Sequence, residues 1–518
     1  MESISGYSGV RTTVVAMDVF RTKSVEQSMA ETDEPEHRLR KNLGALDLIV
    51  FGVGVIIGAG IFVYTGSVAA SNSGPAIAIS FAIAGLACAL AALCYAEFAS
   101  TVPVAGSAYT FSYATFGELV AWIIGWDLAL EFTVGASALS VGFSGYLQNV
   151  LSDTPFAIPE AIASSDGGVV NLPAVLISLL VAWVLIRGIK LSSRINQVVV
   201  AIKLAVVAAV IVVGLSYVKM SNYSPFIPES KPTADEQGRF LDLPLITSIF
   251  GLEPAVFGVA GVIAGAAVVF FAFIGFDVVA TTAEETHNPQ RNVPIGILGS
   301  LAIVTGLYIA VSLVITGMQD YRDIDPADAA PLSTAFDAVG VSWMGDLIAI
   351  GACIGLTVVV LILMLGQTRV AFAMARDGLL PISLAKVHPK YGTPHRVTII
   401  TGGLVAAMSG FVSFETLGHL VSIGTLFAFI LVSIGVVILR RTRPDLPRAF
   451  RTPAVTLVAA LAVLLCLYLM LNLTGGTWVR FGIWMVIGLG VYFAYGQRHS
   501  RLGSQGDQVP GEPLAERH

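Results

Sequence analysis

The sequence predicts an all-α polytopic membrane protein of about twelve transmembrane helices, built as two inverted five-helix repeats with two extra helices. Three observations carry this. The 518 residues are 55% hydrophobic and 12% charged, with mean hydropathy +0.80; a soluble domain carries roughly 25% charged residues. The apolar residues fall into about twelve stretches, each near the ~20 residues needed to cross a hydrocarbon core. Two of those stretches, five apart in order, are broken by glycine at matching places. An odd number of spans between matched breaks gives the two halves opposite orientation.

In chain order, residues 1–45 are polar and mixed in charge and read as a cytoplasmic tail. Spans 1–5 follow at about 46–66, 75–100, 118–148, 172–188 and 195–217, making repeat 1 over residues 46–217. Residues 218–255 are polar and proline-rich and form an extracellular loop. Spans 6–10 lie at about 256–283, 293–317, 343–374, 396–413 and 418–439, making repeat 2 over 256–439. The loop 319–343 is acidic and external, and the loop from Arg376 to Arg396 predicts a cytoplasmic turn or short helix. Spans 11 and 12, at about 455–473 and 477–496, occupy the segment 440–496, and 497–518 is a cytoplasmic C-terminal tail.

Charge fixes the orientation. With both termini inside, 23 of the 29 Lys and Arg residues fall on the cytoplasmic side and five outside, leaving Lys203 within span 5. That is the asymmetry of the positive-inside rule. Cys88, Cys94, Cys353 and Cys466 lie in apolar spans without metal-ligand spacing, so packing is their expected role. No metal, cofactor or nucleic-acid signature is present, nor a P-loop, HExxH or nucleophile elbow.

The first break is GVGVIIGAGIF, Gly52 to Phe62. Each helical glycine costs about 1 kcal/mol relative to alanine, so four in nine residues need a reason. Close helix packing is one, since Gly54 and Gly58 have small-xxx-small spacing. The other is an unwound stretch over Ile56, Ile57, Gly58, Ala59 and Gly60. Its free N–H groups and the helix end beyond it would receive a carboxylate. The second break is FFAFIGFD, Phe270 to Asp277. Phe271, Ala272, Phe273 and Ile274 precede Gly275, and their rings could be an ordinary aromatic core. As a site, free carbonyls near Ala272 and Ile274 would take an ammonium group, with Phe271 or Phe273 as a gate. In lipid, freed backbone groups persist only where they are buried in protein or line a cavity. Paired broken helices therefore mark the binding site of a secondary transporter.

Ionisable residues inside spans are expensive and face the bundle interior. Lys203 lies about 12 Å into span 5 at 1.5 Å per residue. Glu131 lies near the middle of span 3, with Asp127 one turn before it; Asp277 follows the break in span 6, and Glu97 closes span 2. Lys203, Glu131 and Asp277 are candidates for coupling transport to protons, the two carboxylates being possible partners of the lysine. Asp127 and Glu97 fit structural roles better.

These motifs resemble the amino acid–polyamine–organocation superfamily. FFAFIGFDVVATTAEETHNPQRNVPIGI (Phe270–Ile297), the stretch Tyr95–Glu131 and RVAFAMARDGLLP look like its cationic amino acid transporter branch and bacterial relatives. The resemblance covers all twelve spans. It implies alternating access, a substrate held at the breaks in spans 1 and 6, and a span-5 lysine in place of sodium, a position on which Lys203 falls. Ala59 departs from the Ser or Thr often found there. The expectation is a plasma-membrane permease importing neutral or cationic amino acids, proton-coupled, with an amino acid, a proton and the lipid bilayer as partners. An amino acid/amine antiporter is the alternative. A channel would need repeated rings of charge and a membrane enzyme a nucleophile–base pair; neither is evident.

Overall fold

The computed structural model describes residues 21–22, 43–58, 60–102, 107–152, 154–164, 168–188, 193–232, 240–251 and 255–502. Most of both predicted tails, parts of the external loop, and Ala59 lie outside the described residues.

Helices stand at every predicted span. Span 1 is Ala45–Ile56 and then, past an interruption, a run of helical turns from Gly60 to Ser73. Spans 2 to 5 are Ile77–Thr101, Glu118–Leu151, Leu172–Ile186 and Ser193–Gly214. Span 6 is Gly258–Val269, continued by two 3₁₀ stretches, Phe270–Phe273 and Asp277–Glu285. Spans 7 to 10 are Pro289–Met318, Ser342–Arg376, His395–Phe411 and Phe414–Thr442, and spans 11 and 12 are Val455–Leu471 and Gly475–Val491. Among the described residues, eight helical stretches are long and apolar enough to cross a membrane; one joins the second half of span 1 to span 2. Ala45–Ile56, Leu172–Ile186 and Val455–Leu471 are shorter apolar helices.

Local chemistry sets the ends. The Asn171 side chain accepts from the Ala174 N–H at 3.2 Å, and the Ser413 and Thr474 hydroxyls accept from the third residue of spans 10 and 12. Each fills one of the donors a helix start leaves free. Prolines occupy the first turns of spans 4 and 7, where a missing N–H costs nothing. Several short elements escape the hydropathy reading, the helix Leu245–Phe250 in the external loop among them. Ser107–Thr115 forms a helix between spans 2 and 3, and Pro331–Ala338 forms one in the acidic loop. The turn expected in the loop 376–396 is present as Ile382–Ala385.

The outside of the bundle is apolar. Leu176, Leu179, Leu180 and Trp183 on span 4 and Leu457, Leu461 and Leu464 on span 11 are exposed. Such surface is costly in water and neutral in hydrocarbon. The inside is mixed, with hydroxyls of Ser137, Ser140, Ser178 and Ser312 buried on helical carbonyls. Spans 3 and 8 run along one another at the centre, as do spans 2 and 7.

The end of the bundle carrying the basic loops is closely tied. Glu97, 1% exposed, accepts both Arg440 guanidinium bonds at 2.6 Å and the Thr452 N–H at 2.8 Å. Arg448 adds a contact at 3.5 Å. Span 2 is thereby fastened to span 10 and the loop beyond it. Glu118 opens span 3 and accepts hydroxyls from Tyr113, Tyr492 and Ser500. Leu43 donates to the Glu285 carbonyl and accepts from the His287 N–H, joining the start of span 1 to the end of span 6.

Candidate functional site

Both predicted interruptions are present. Ile57 leaves the helix of span 1 with φ −68° and ψ 94°. Ile274 leaves span 6 with φ −62° and ψ 138°, and Gly275 follows at φ +115°. That last conformation is closed to side chains other than glycine's without strain, which is why the break falls there. The two breaks face each other. A Cβ on Gly60 would stand 2.1 Å from the Ala272 Cβ, so the chains touch through a position that only glycine fills. Ile56, Ile57, Gly58 and Gly60 are buried with Phe271, Ala272, Phe273 and Ile274.

The glycines divide by role. Gly52 backs onto Ser300 of span 7 and Gly54 onto Val200 of span 5, at built-Cβ distances of 2.5 and 2.3 Å. Both serve helix packing. Gly58 is looser, a Cβ there meeting Leu139 of span 3 at 3.1 Å, the Ile56 carbonyl at 3.8 Å and Val359 of span 8 at 4.0 Å.

Lys203 is 1% exposed. Its ammonium donates to the Gly54 carbonyl at 2.8 Å and the Ile57 carbonyl at 2.9 Å. These are among the acceptors that the interruption deprives of helical partners. Its stem lies on Gly355 of span 8, whose built Cβ would come within 2.6 Å of the lysine Cε. The pairing differs from the one expected. No ion pair joins Lys203 to Glu131 or Asp277 among the described residues; the lysine answers backbone dipoles instead. A sequence cannot reveal that, because carbonyls are anonymous in it.

The carboxylates form their own group. Glu131 lies within electrostatic reach of Asp277 and Asp127 and close to Thr425 of span 10, whose hydroxyl donates to the Val421 carbonyl at 3.0 Å. Asp277 faces backbone amides at the second break, from Gly275 to Val278. One oxygen of Glu131, one of Asp277 and both of Asp127 are buried without a hydrogen-bond partner. A charge left so would be costly. The group is therefore suited to holding protons or to meeting water in another conformation. No cluster of metal-ligating side chains occurs among the described residues.

The aromatic residues separate too. Phe271 meets Tyr64 edge-on at 5.3 Å, and Tyr64 also packs on Phe414 at 4.8 Å. Phe273 points the other way, against Phe81 and Tyr308. Of the two gate candidates, Phe271 stands beside the first break and Phe273 is built into the bundle. Sequence reasoning missed Tyr64, whose buried hydroxyl has no partner, and Tyr308. The latter's hydroxyl donates to the Ile56 carbonyl at 2.7 Å and the Ala272 carbonyl at 2.8 Å. A tyrosine in the middle of an apolar span was the available signal, since its hydroxyl must find an acceptor.

Two broken helices, a lysine on the carbonyls of one and acids beside the other make an arrangement for binding and release across a membrane. Residues 43–492 match the amino acid permease family. The chain belongs to the amino acid permease family. It is 46% identical to the branched-chain amino acid permease BcaP of Bacillus subtilis, across 93% of this chain and 99% of that protein. It is 45% identical to the methylthioribose transporter of the same organism, over the same shares. Similarity also extends to cationic amino acid transporter 4 of Homo sapiens, at 31% identity over 95% of this chain and 91% of that one. The chain is a multi-pass plasma-membrane permease, in keeping with its family and its apolar helices.

Proposed function

We propose that this permease imports amino acids by alternating access, driven by protons and independent of sodium. The observation that carries the reading is the Lys203 ammonium on the Gly54 and Ile57 carbonyls. A fixed positive charge fills the place a metal cation would take beside the break. Substrate binds between the breaks, with its carboxylate toward Gly58, Ala59 and Gly60 and its ammonium toward the second break. Phe271 and Tyr64 close over it. Glu131 and Asp277 exchange protons with the cytoplasmic side, where both termini lie. The two halves, residues 46–217 and 256–439, act as inverted repeats. No chemical conversion of the substrate is involved, in keeping with relatives that are transporters and permeases.

The side chain favoured is neutral. A second substrate reading has support of its own, because the relative named a methylthioribose transporter is about as similar as the branched-chain permease. Purified protein in liposomes tests both readings. Uptake is measured under an inward proton gradient, with and without sodium, for twenty amino acids and methylthioribose. Saturable, gradient-driven, sodium-independent uptake of neutral amino acids supports the proposal. Counterflow without net accumulation would instead make the protein an exchanger, and preference for methylthioribose would displace amino acids as substrates.

A further inference from the structure

Tyr308 lies in span 7, outside both breaks, yet its hydroxyl reaches one carbonyl of each, at 2.7 Å to Ile56 and 2.8 Å to Ala272. The side chain is fully buried. Its ring is held between Phe81 and Phe273, each 5.3 Å away between centroids. A phenol has one proton and two lone pairs, so the two carbonyls share a single donor. Two acceptors from separate chain segments would repel one another without it, and each would be buried unpaired. Nearby, Gly60 and Ala272 are in contact, so small displacements of one break press on the other.

We infer that Tyr308 is a positioning residue that holds the two half-sites in register, so that carboxylate and ammonium groups of one substrate are met at once. This rests on the proposed function, since it presumes a substrate bridging the breaks. The hydroxyl also takes the Ile56 and Ala272 carbonyls out of the set open to the ammonium. Substrate must then be met by other groups of the second break, or must compete for the shared proton.

The test is Tyr308→Phe, which keeps the ring and its two aromatic contacts. The full chain is reconstituted in liposomes, and KM and Vmax are measured for whichever of the twenty amino acids the wild type carries best. A rise in KM of tenfold or more, with Vmax within about threefold, is expected; a merely structural loss lowers the amount of active protein and leaves KM alone. As a second measurement, mono- and difluorotyrosine are placed at position 308, keeping the ring while strengthening the donor. KM should then change in the order of hydroxyl acidity. An unchanged KM in Tyr308→Phe, or a KM flat across the fluorinated series, overturns the inference. If the wild type carries none of the twenty, the functional reading fails and this inference with it.

Discussion

Replacing Lys203 by methionine separates a coupling role from a packing role. Methionine keeps most of the stem that lies on Gly355, and a swap that conserves volume costs less than about 1.5 kcal/mol in packing. What disappears is the pair of charged hydrogen bonds at 2.8 and 2.9 Å to Gly54 and Ile57. At about 1.5–3 kcal/mol each, the conformation that contains them loses roughly 3–6 kcal/mol relative to one that lacks them. Since ~1.4 kcal/mol is tenfold, the balance between transport states shifts by about a hundredfold or more. The assay is accumulation in liposomes under an imposed gradient. About two pH units supply roughly 2.7 kcal/mol per proton, enough for about hundredfold concentration of a neutral substrate. Wild-type protein should approach that ratio, with faster uptake as the outside is made more acidic. Lys203→Met should bring the ratio to unity while exchange between preloaded liposomes persists. A Lys203→Met variant that still concentrates substrate would refute the mechanism. So would wild-type uptake that follows sodium and ignores the proton gradient.

Other substitutions test the neighbouring assignments. Gly60→Ala places a methyl 2.1 Å from the Ala272 Cβ, an overpacking of about 1–3 kcal/mol that should raise KM in membrane-inserted protein. Gly58→Ala meets only the end of the Leu139 side chain at 3.1 Å, so its effect on uptake should be the smaller, and the reverse order would move the substrate away from Gly60. Glu97→Gln removes the charge that Arg440 and Arg448 share; a loss of about 3–5 kcal/mol should show in thermal unfolding, with KM unaltered in surviving protein. Asp127→Asn, at a carboxylate with no partner on either oxygen, should leave stability equal or higher, whereas Glu131→Gln should flatten the pH dependence of uptake; loss of pH dependence in Asp127→Asn alone would exchange their roles.

The architecture was legible because the bilayer simplifies the code. Twelve apolar stretches predict helices with ends correct to a few residues, as at Leu172–Ile186 and His395–Phe411. The breaks were legible because glycine is costly in a helix, and Gly275 occupies a backbone conformation that explains its presence. The partners of the buried polar groups were not. Lys203 pointed toward acids in the sequence and meets carbonyls in the fold. Glycines of span 1 that look alike in sequence do different work, Gly54 against Val200 and Gly60 against Ala272. Ser107–Thr115 and Pro331–Ala338 escaped because short helices at a membrane surface carry no long apolar run.

Distance along span 3 bears on which side chain the permease accepts. Leu139 is the nearest neighbour of Gly58 on that helix, and Glu131 is eight residues earlier. Eight residues are about 12 Å of helix, so Glu131 stands two turns from the residue of span 3 that lies nearest Gly58. Asp277, two residues past Gly275, lies within electrostatic reach of Glu131. A Cβ at Gly58 would meet the Leu139 side chain, the Ile56 carbonyl and the Val359 side chain. A cationic side chain placed there would be desolvated with no anion to meet it, a penalty of several kcal/mol. An aliphatic side chain would gain about 0.8 kcal/mol for each methylene buried. If the acids exchange protons as proposed, Glu131 does so two turns away from the Leu139 side chain that stands nearest Gly58. On the proposed reading, coupling and specificity would lie on different turns of span 3.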